Sequence, residues 1–237
     1  MTRILIVLTS HSELGDTGNF TGFHYEEMTT PYYAFIDAGY HADLASIAGG
    51  QPPHDPSSLD DEPEKWAQSV KRFKQDSAAM KALSDTYSIH QINASRYDAI
   101  YLPGGHGTMW DFPESKPLAD VIGNLYDHGK IIASVCHGAA GLVNVRDNKT
   151  NKPLVKGRKI NSFTDEEERE VGLDDVVPFL LESRLRELGA DFNRGKIFGN
   201  FTIQDGQIIT GQNPASLNDL SDKILSSLRK YANRVAA

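Results

Sequence analysis

Short, uninterrupted apolar runs, separated by helical patterns that open near proline and close at glycine, restrict this chain to a parallel sheet with helices on its faces. Residues 4–8 are apolar throughout, as a strand buried on both sides requires. A polar loop over 9–22 leads to a helix predicted over 31–39, with Pro31 at its start and Gly39 at its end. Residues 41–46 read as the second strand. Strand, helix, strand in this span is a βαβ unit, whose crossover makes the two strands parallel. The pattern resumes with a strand over 97–103, a helix over 117–128 closed by Gly129, and a strand over 130–135. A helix over 139–144, a hairpin excursion over 147–157, a strand over 158–163 and an amphipathic helix over 176–188 follow. Residues 201–203 and 208–210 flank Asp205-Gly206, a hairpin signature, and Pro214 opens a last helix running towards Tyr231. The fold class is α/β: a flavodoxin-like, doubly wound, mostly parallel sheet.

Residues 49–83 break this pattern. Gln51-Pro52-Pro53-His54-Asp55-Pro56 is rich in turn formers, and 64–83 is polar and helix-prone around Trp66, Val70, Phe73 and Met80. The segment is expected to be a lid or cap inserted within a single domain spanning 1–237, its aromatic residues serving packing. The chain carries 24 basic and 32 acidic residues, for a formal charge of −8, and no strongly basic run. Nucleic acid is therefore not an expected partner. No stretch approaches the roughly 18 apolar residues of a membrane span. The apolar run at the start is too short for a signal peptide and lacks a small-residue cleavage site. A single cysteine rules out an intrachain disulfide and fits a reducing compartment. A cytoplasmic protein without a membrane partner is expected.

In open parallel sheets, ligands bind at the carboxyl ends of the strands. There the only cysteine lies between a buried strand and a run of small residues, Cys136-His137-Gly138-Ala139-Ala140-Gly141. A sharp strand-to-helix turn of this kind exposes a nucleophile, and small neighbours let strand and helix pack closely. A helix N-terminus beside the sulfur favours thiolate; a free thiol is only about 3% ionised at pH 7, and a pKa lower by about three units makes it mostly thiolate. The second loop, Gly104-Gly105-His106-Gly107-Thr108, permits close backbone approach, so its N–H groups can face an oxyanion. It matches neither GxGxxG nor GxxxxGK[ST], which argues against nucleotide binding. The histidines show no HExxH or paired-ligand spacing, so no metal is expected.

At these residues the chain resembles the ThiJ/PfpI superfamily, and within it the glutathione-independent glyoxalases (glyoxalase III, D-lactate dehydratase), which double as stress chaperones. The motifs are Leu8-Thr9-Ser10, Thr21-Gly22 with Glu27 four residues before Pro31, and Gly105-His106-Gly107-Thr108. Ala133 with Val135-Cys136-His137-Gly138, Phe163-Thr164-Asp165 with Glu168, and Thr210-Gly211 with Asn213-Pro214-Ala215-Ser216 complete the set. The resemblance covers nearly the whole chain and implies a class I glutamine amidotransferase-like sheet. Amidotransferases themselves need a His-x-Glu downstream of the cysteine, and no histidine follows His137.

What the resemblance implies is a lyase converting methylglyoxal to D-lactate, with methylglyoxal or glyoxal as substrate and no cofactor. Cys136 would be the nucleophile, His137 its base, Glu168 the acid orienting that histidine, and Glu27 a carboxyl touching the sulfur. Gly105, His106, Gly107 and His24 would bind substrate or oxyanion. Glu166 and Glu167 remain alternatives to Glu168; Glu26 precedes Glu27, but the spacing to Pro31 favours Glu27. A homodimer is implied, with unfolded or glycated proteins as further partners. Peptidase, protein deglycase, holdase and redox-sensor readings stand as alternatives.

Overall fold

The computed structural model describes residues 2–236, with side chains described through Tyr231. A seven-stranded sheet runs in the order β3-β2-β1-β4-β5-β9-β8, where β1 is Arg3–Leu8, β2 His41–Ser46, β3 Tyr87–Ser88, β4 Ala99–Leu102, β5 Ile131–Val135, β8 Thr202–Asp205 and β9 Ile208–Gly211. All pairings are parallel except β8 with β9, the predicted hairpin. A separate two-stranded sheet joins β6 (Lys159–Ile160) to β7 (Asp191–Phe192). Residues 158–163 thus contribute a short strand outside the main sheet. Ile4 to Leu8 are fully buried, which is why that run lacks the alternation of a half-exposed strand. One core cluster, with Val7, Ile100, Leu118 and Ile122, lies on one face of the sheet. The other, with Ile6, Phe35, Tyr101 and Ile224, lies on the opposite face.

The first helix, α1 (Tyr25–Asp37), starts six residues earlier than the sequence reading, so Pro31 lies inside it. Proline there leaves the Glu27 carbonyl without its helical donor. The Tyr101 hydroxyl replaces that donor at 2.7 Å, and both groups are buried. A helix with an interior proline is tolerated because a side chain 74 residues away takes the vacated acceptor.

Within 49–83, α2 (Gln68–Gln75) and α3 (Ser77–Ser84) follow the turn-rich stretch. Phe73 is fully buried, edge-on to Tyr32 at 5.5 Å, and Arg72 makes two 2.7 Å hydrogen bonds to Asp37. This part is fastened to α1. The earlier part, 53–55, pairs with the loop before α1: Phe23 N–H donates to Pro53 O and Asp55 N–H to Phe23 O.

α4 (Thr108–Glu114) and α5 (Lys116–Asp127) follow β4, with the Ser115 side chain capping α5. α6 (Asp165–Glu170) follows β6, α7 (Leu181–Glu187) precedes β7, and α8 (Leu217–Ala236) ends the described chain. α7 is shorter than the 176–188 pattern because Pro178 disfavours helix in the residue before it. After β5 there is a 3-10 helix, Cys136–Leu142, in place of the helix predicted over 139–144. Among the described residues, no helix is long and apolar enough to cross a membrane.

Candidate active site

The strand order reverses between β1 and β4, the place where open parallel sheets bind ligands, and the ends of β1, β4 and β5 lie side by side there. Cys136 sits at the end of β5 with φ +55°, a left-handed conformation that costs a residue with a Cβ about 1–2 kcal/mol. The turn closes on β4: a Cβ at Gly138 would lie 2.1 Å from Leu102 O, so only glycine permits this approach.

Sγ lies 3.3 Å from His137 Nδ1, and His137 Nε2 lies 2.7 Å from Glu168 Oε2. Glu168 is held well below the usual carboxylate range: burial opposes this, but its interaction with His137 and the hydrogen bonds of His106 and His137 outweigh it. An ionised carboxylate accepts, so His137 carries its proton on Nε2 and turns the Nδ1 lone pair towards sulfur. Burial, reinforced by His106, lowers the His137 pKa and keeps the ring neutral at rest.

The three candidate acids separate cleanly. Glu166 is on the surface, paired with Arg194 at 2.6 Å. Glu167 belongs to a capping box, its Oε2 accepting from Thr164 N–H and hydroxyl at 2.9 Å each. Its Oε1 accepts from Phe198 N–H, Gln212 and Asn213. Glu168 alone faces the histidine. The acidic run is therefore the first turn of α6, not a solvated turn.

Glu27, the second side chain that interacts with the sulfur, is fully buried on the first turn of α1. Its Oε2 accepts Gly104 N–H at 2.7 Å, Oε1 is buried without a hydrogen-bond partner, and the side chain interacts with that of Cys136. Burial pushes the Glu27 carboxyl up to about 8, although the Gly104 N–H opposes this. Glu26 is only partly buried. Burial also pushes the Cys136 thiol up, and the Glu27 charge adds to it; the His137 N–H acts the other way. This corrects the lowered thiol expected from the turn. The turn supplies one short 3-10 helix rather than a full helix N-terminus, and burial outweighs it. Two adjacent buried acids cannot both ionise cheaply, so sulfur and carboxyl hold at most one negative charge between them at neutral pH.

Gly105 has φ +105° and would drive a Cβ within 2.2 Å of Gly22 O, which locks the loop against 22–24. Gly107 packs against Thr9, His11 and Gly22. The glycine beside Glu27, His137 and Cys136 is Gly104, which the sequence reading did not single out. His24, the residue before α1, has a buried Nδ1 without a partner, and burial lowers its pKa to about 4. His106 reaches Glu168 through Nε2 at 2.7 Å. Asp55 also enters the site, its Oδ2 4.0 Å from His106 Nδ1. In sequence, Asp55-Pro56 is only part of a turn-rich stretch; in the structure Asp55 also caps a turn, accepting from Ser57 N–H at 2.9 Å. The ligand atoms of His106, His137 and Glu168 lie within 4.8 Å of one another, a metal-like grouping that the sequence spacing did not reveal.

Fold and site together define a doubly wound α/β protein with a buried cysteine in a strained turn at the end of a central strand, flanked by a His–Glu pair and a buried carboxyl. The chain belongs to the DJ-1/PfpI family, whose model matches residues 19–227. It is similar to "Glyoxalase 3" of Candida albicans, 31% identical over 96% of this chain and 98% of that protein. It is likewise similar to "Glutathione-independent glyoxalase HSP31" of Saccharomyces cerevisiae, 28% identical over 96% of this chain and 98% of that one. Among solved structures, the Rapid Encystment Protein 24 kDa of Francisella tularensis superposes with a TM-score of 0.91 at 37% identity, covering 96% of this chain and 99% of that one.

Proposed function

We propose that the protein is a glutathione-independent glyoxalase that converts methylglyoxal to D-lactate, with Cys136, His137, Glu27 and Glu168 as its machinery. The observation that carries this reading is a sulfur held between a base and a buried carboxyl. A thiol hydrolase needs only the sulfur and the base. Moving a proton between adjacent carbons needs a further group that both takes and gives one, and a carboxyl with a pKa near 8 suits that task at neutral pH.

In this mechanism Sγ adds to the aldehyde carbon while its proton passes to His137 Nδ1, and the aldehyde oxygen takes the proton held by Glu27. The Glu27 carboxylate then removes the proton on C1, His137 protonates the C2 oxygen, and an enediol results. Glu27 returns its proton to C2 while the C1 hydroxyl gives its own to His137, leaving a lactoyl thioester on sulfur. Water hydrolyses this ester and restores the thiol. The N–H groups of Gly105 and His137 are the proposed oxyanion donors, and His24 and Gly107 belong to the substrate wall. The insertion at 49–83 is proposed to shape access through its 53–55 stretch, and the active form to be a homodimer.

The test is lactate formation from methylglyoxal without added glutathione. The wild type is expected to produce D-lactate, and Cys136→Ala to lose at least about a thousandfold. Peptide hydrolysis without dicarbonyl turnover by the wild type would overturn the reading in favour of a peptidase. Activity lost to a chelator and restored by zinc would overturn its metal-free chemistry.

A further inference from the structure

The resemblance gives His106 to the substrate, but its strongest contact is with protein. Glu168 is a bridge: Oε2 takes His137 Nε2 at 2.7 Å and Oε1 takes His106 Nε2 at 2.7 Å. The two imidazoles lie with centroids 4.1 Å apart and planes 40° apart. Phe163 packs against His137 at 4.5 Å. The ionisable groups around His106 are Glu168, His137, Asp55 and His24. Asp55, whose oxygens already accept from Thr21 and Ser57, stands 4.0 Å from its Nδ1. Side chains from four separate segments thus align as Asp55, His106, Glu168, His137 and Cys136.

A carboxylate held by one hydrogen bond can still rotate about its last torsion, a broad and shallow one. Held at both oxygens by two ring N–H groups, it cannot turn without breaking one of them. We propose that His106 is a positioning residue of the reaction: by holding the second oxygen of Glu168 it fixes that carboxylate, and with it the tautomer and ring plane that aim His137 Nδ1 at sulfur. The inference rests on the roles given to Cys136 and His137 above. It differs from a substrate-binding role in what it controls: how readily sulfur loses its proton, even with no substrate present.

The experiment compares His106→Gln with His106→Asn. The Gln amide nitrogen stands about where Nε2 does and can still donate to Glu168; that of Asn stands near the Nδ1 position and cannot reach. Two readouts are taken: the rate of Cys136 alkylation by iodoacetamide at pH 7, and kcat and KM for methylglyoxal. His106→Asn is expected to slow alkylation and lower kcat together by about 10- to 100-fold with KM within about threefold, while His106→Gln recovers most of both. Equal alkylation in the two variants would overturn the proposal, as would a rise in KM with kcat and alkylation unchanged, the signature of a substrate contact. If the wild type forms no lactate, the glyoxalase reading fails while the alkylation comparison still decides the role of His106.

Discussion

Replacing Glu27 by Gln removes one ionisation and little else, because the side chain keeps its shape and an oxygen for the Gly104 N–H. The carboxyl rises from an ordinary 4.5 to about 8, and burial is the main cause. Below pH 4.5 it is neutral in both folded and unfolded chains and makes no pH-dependent difference. Between 4.5 and about 8 the unfolded chain has released the proton and the folded one has not, so stability falls as pH rises; above about 8 the loss is complete. At about 1.4 kcal/mol per unit, the full difference is of the order of 5 kcal/mol. Denaturant unfolding of both proteins across pH 4.5–8.5 measures it. The stability of Glu27→Gln relative to wild type is expected to climb steadily through that window, since every other titrating group is common to both. Parallel curves would refute the buried, protonated carboxyl. In the same variant lactate formation is expected to fall by about 100-fold or more while Cys136 remains alkylatable; near-wild-type turnover would remove Glu27 from the chemistry.

Three further outcomes follow from the geometry. Because Cys136 has φ +55°, Cys136→Gly is expected to be more stable than Cys136→Ala by about 1 kcal/mol in denaturant unfolding. His24 is lowered from 6.5 to about 4, so stability is lost as pH falls through that window; His24→Gln should remove about 3 kcal/mol of this acid-side loss. Tyr101→Phe strands the buried Glu27 carbonyl opposite Pro31 and is expected to cost about 1–3 kcal/mol, read from the denaturant midpoint.

Local pattern alone established the parallel strands 4–8 and 41–46, the closing hairpin, and the cysteine at the end of a buried strand. Each depends on periodicity or on glycine and proline, which act within a few residues. The sequence also pointed to Glu27 and Glu168, but through family resemblance, leaving Glu26, Glu166 and Glu167 in play. Tertiary structure separated them by partner: Glu168 meets a histidine 31 residues back, Glu27 meets an N–H 77 residues on, and Glu167 is consumed by its own helix cap. It also set α1 across Pro31, because the compensating hydroxyl comes from another strand. Asp55 and Gly104 entered the site, and the sulfur's proton affinity rose instead of falling, for the same reason. Burial and partners contributed from distant segments set these properties, and no local spacing encodes how deeply a side chain will be buried or what it will meet there.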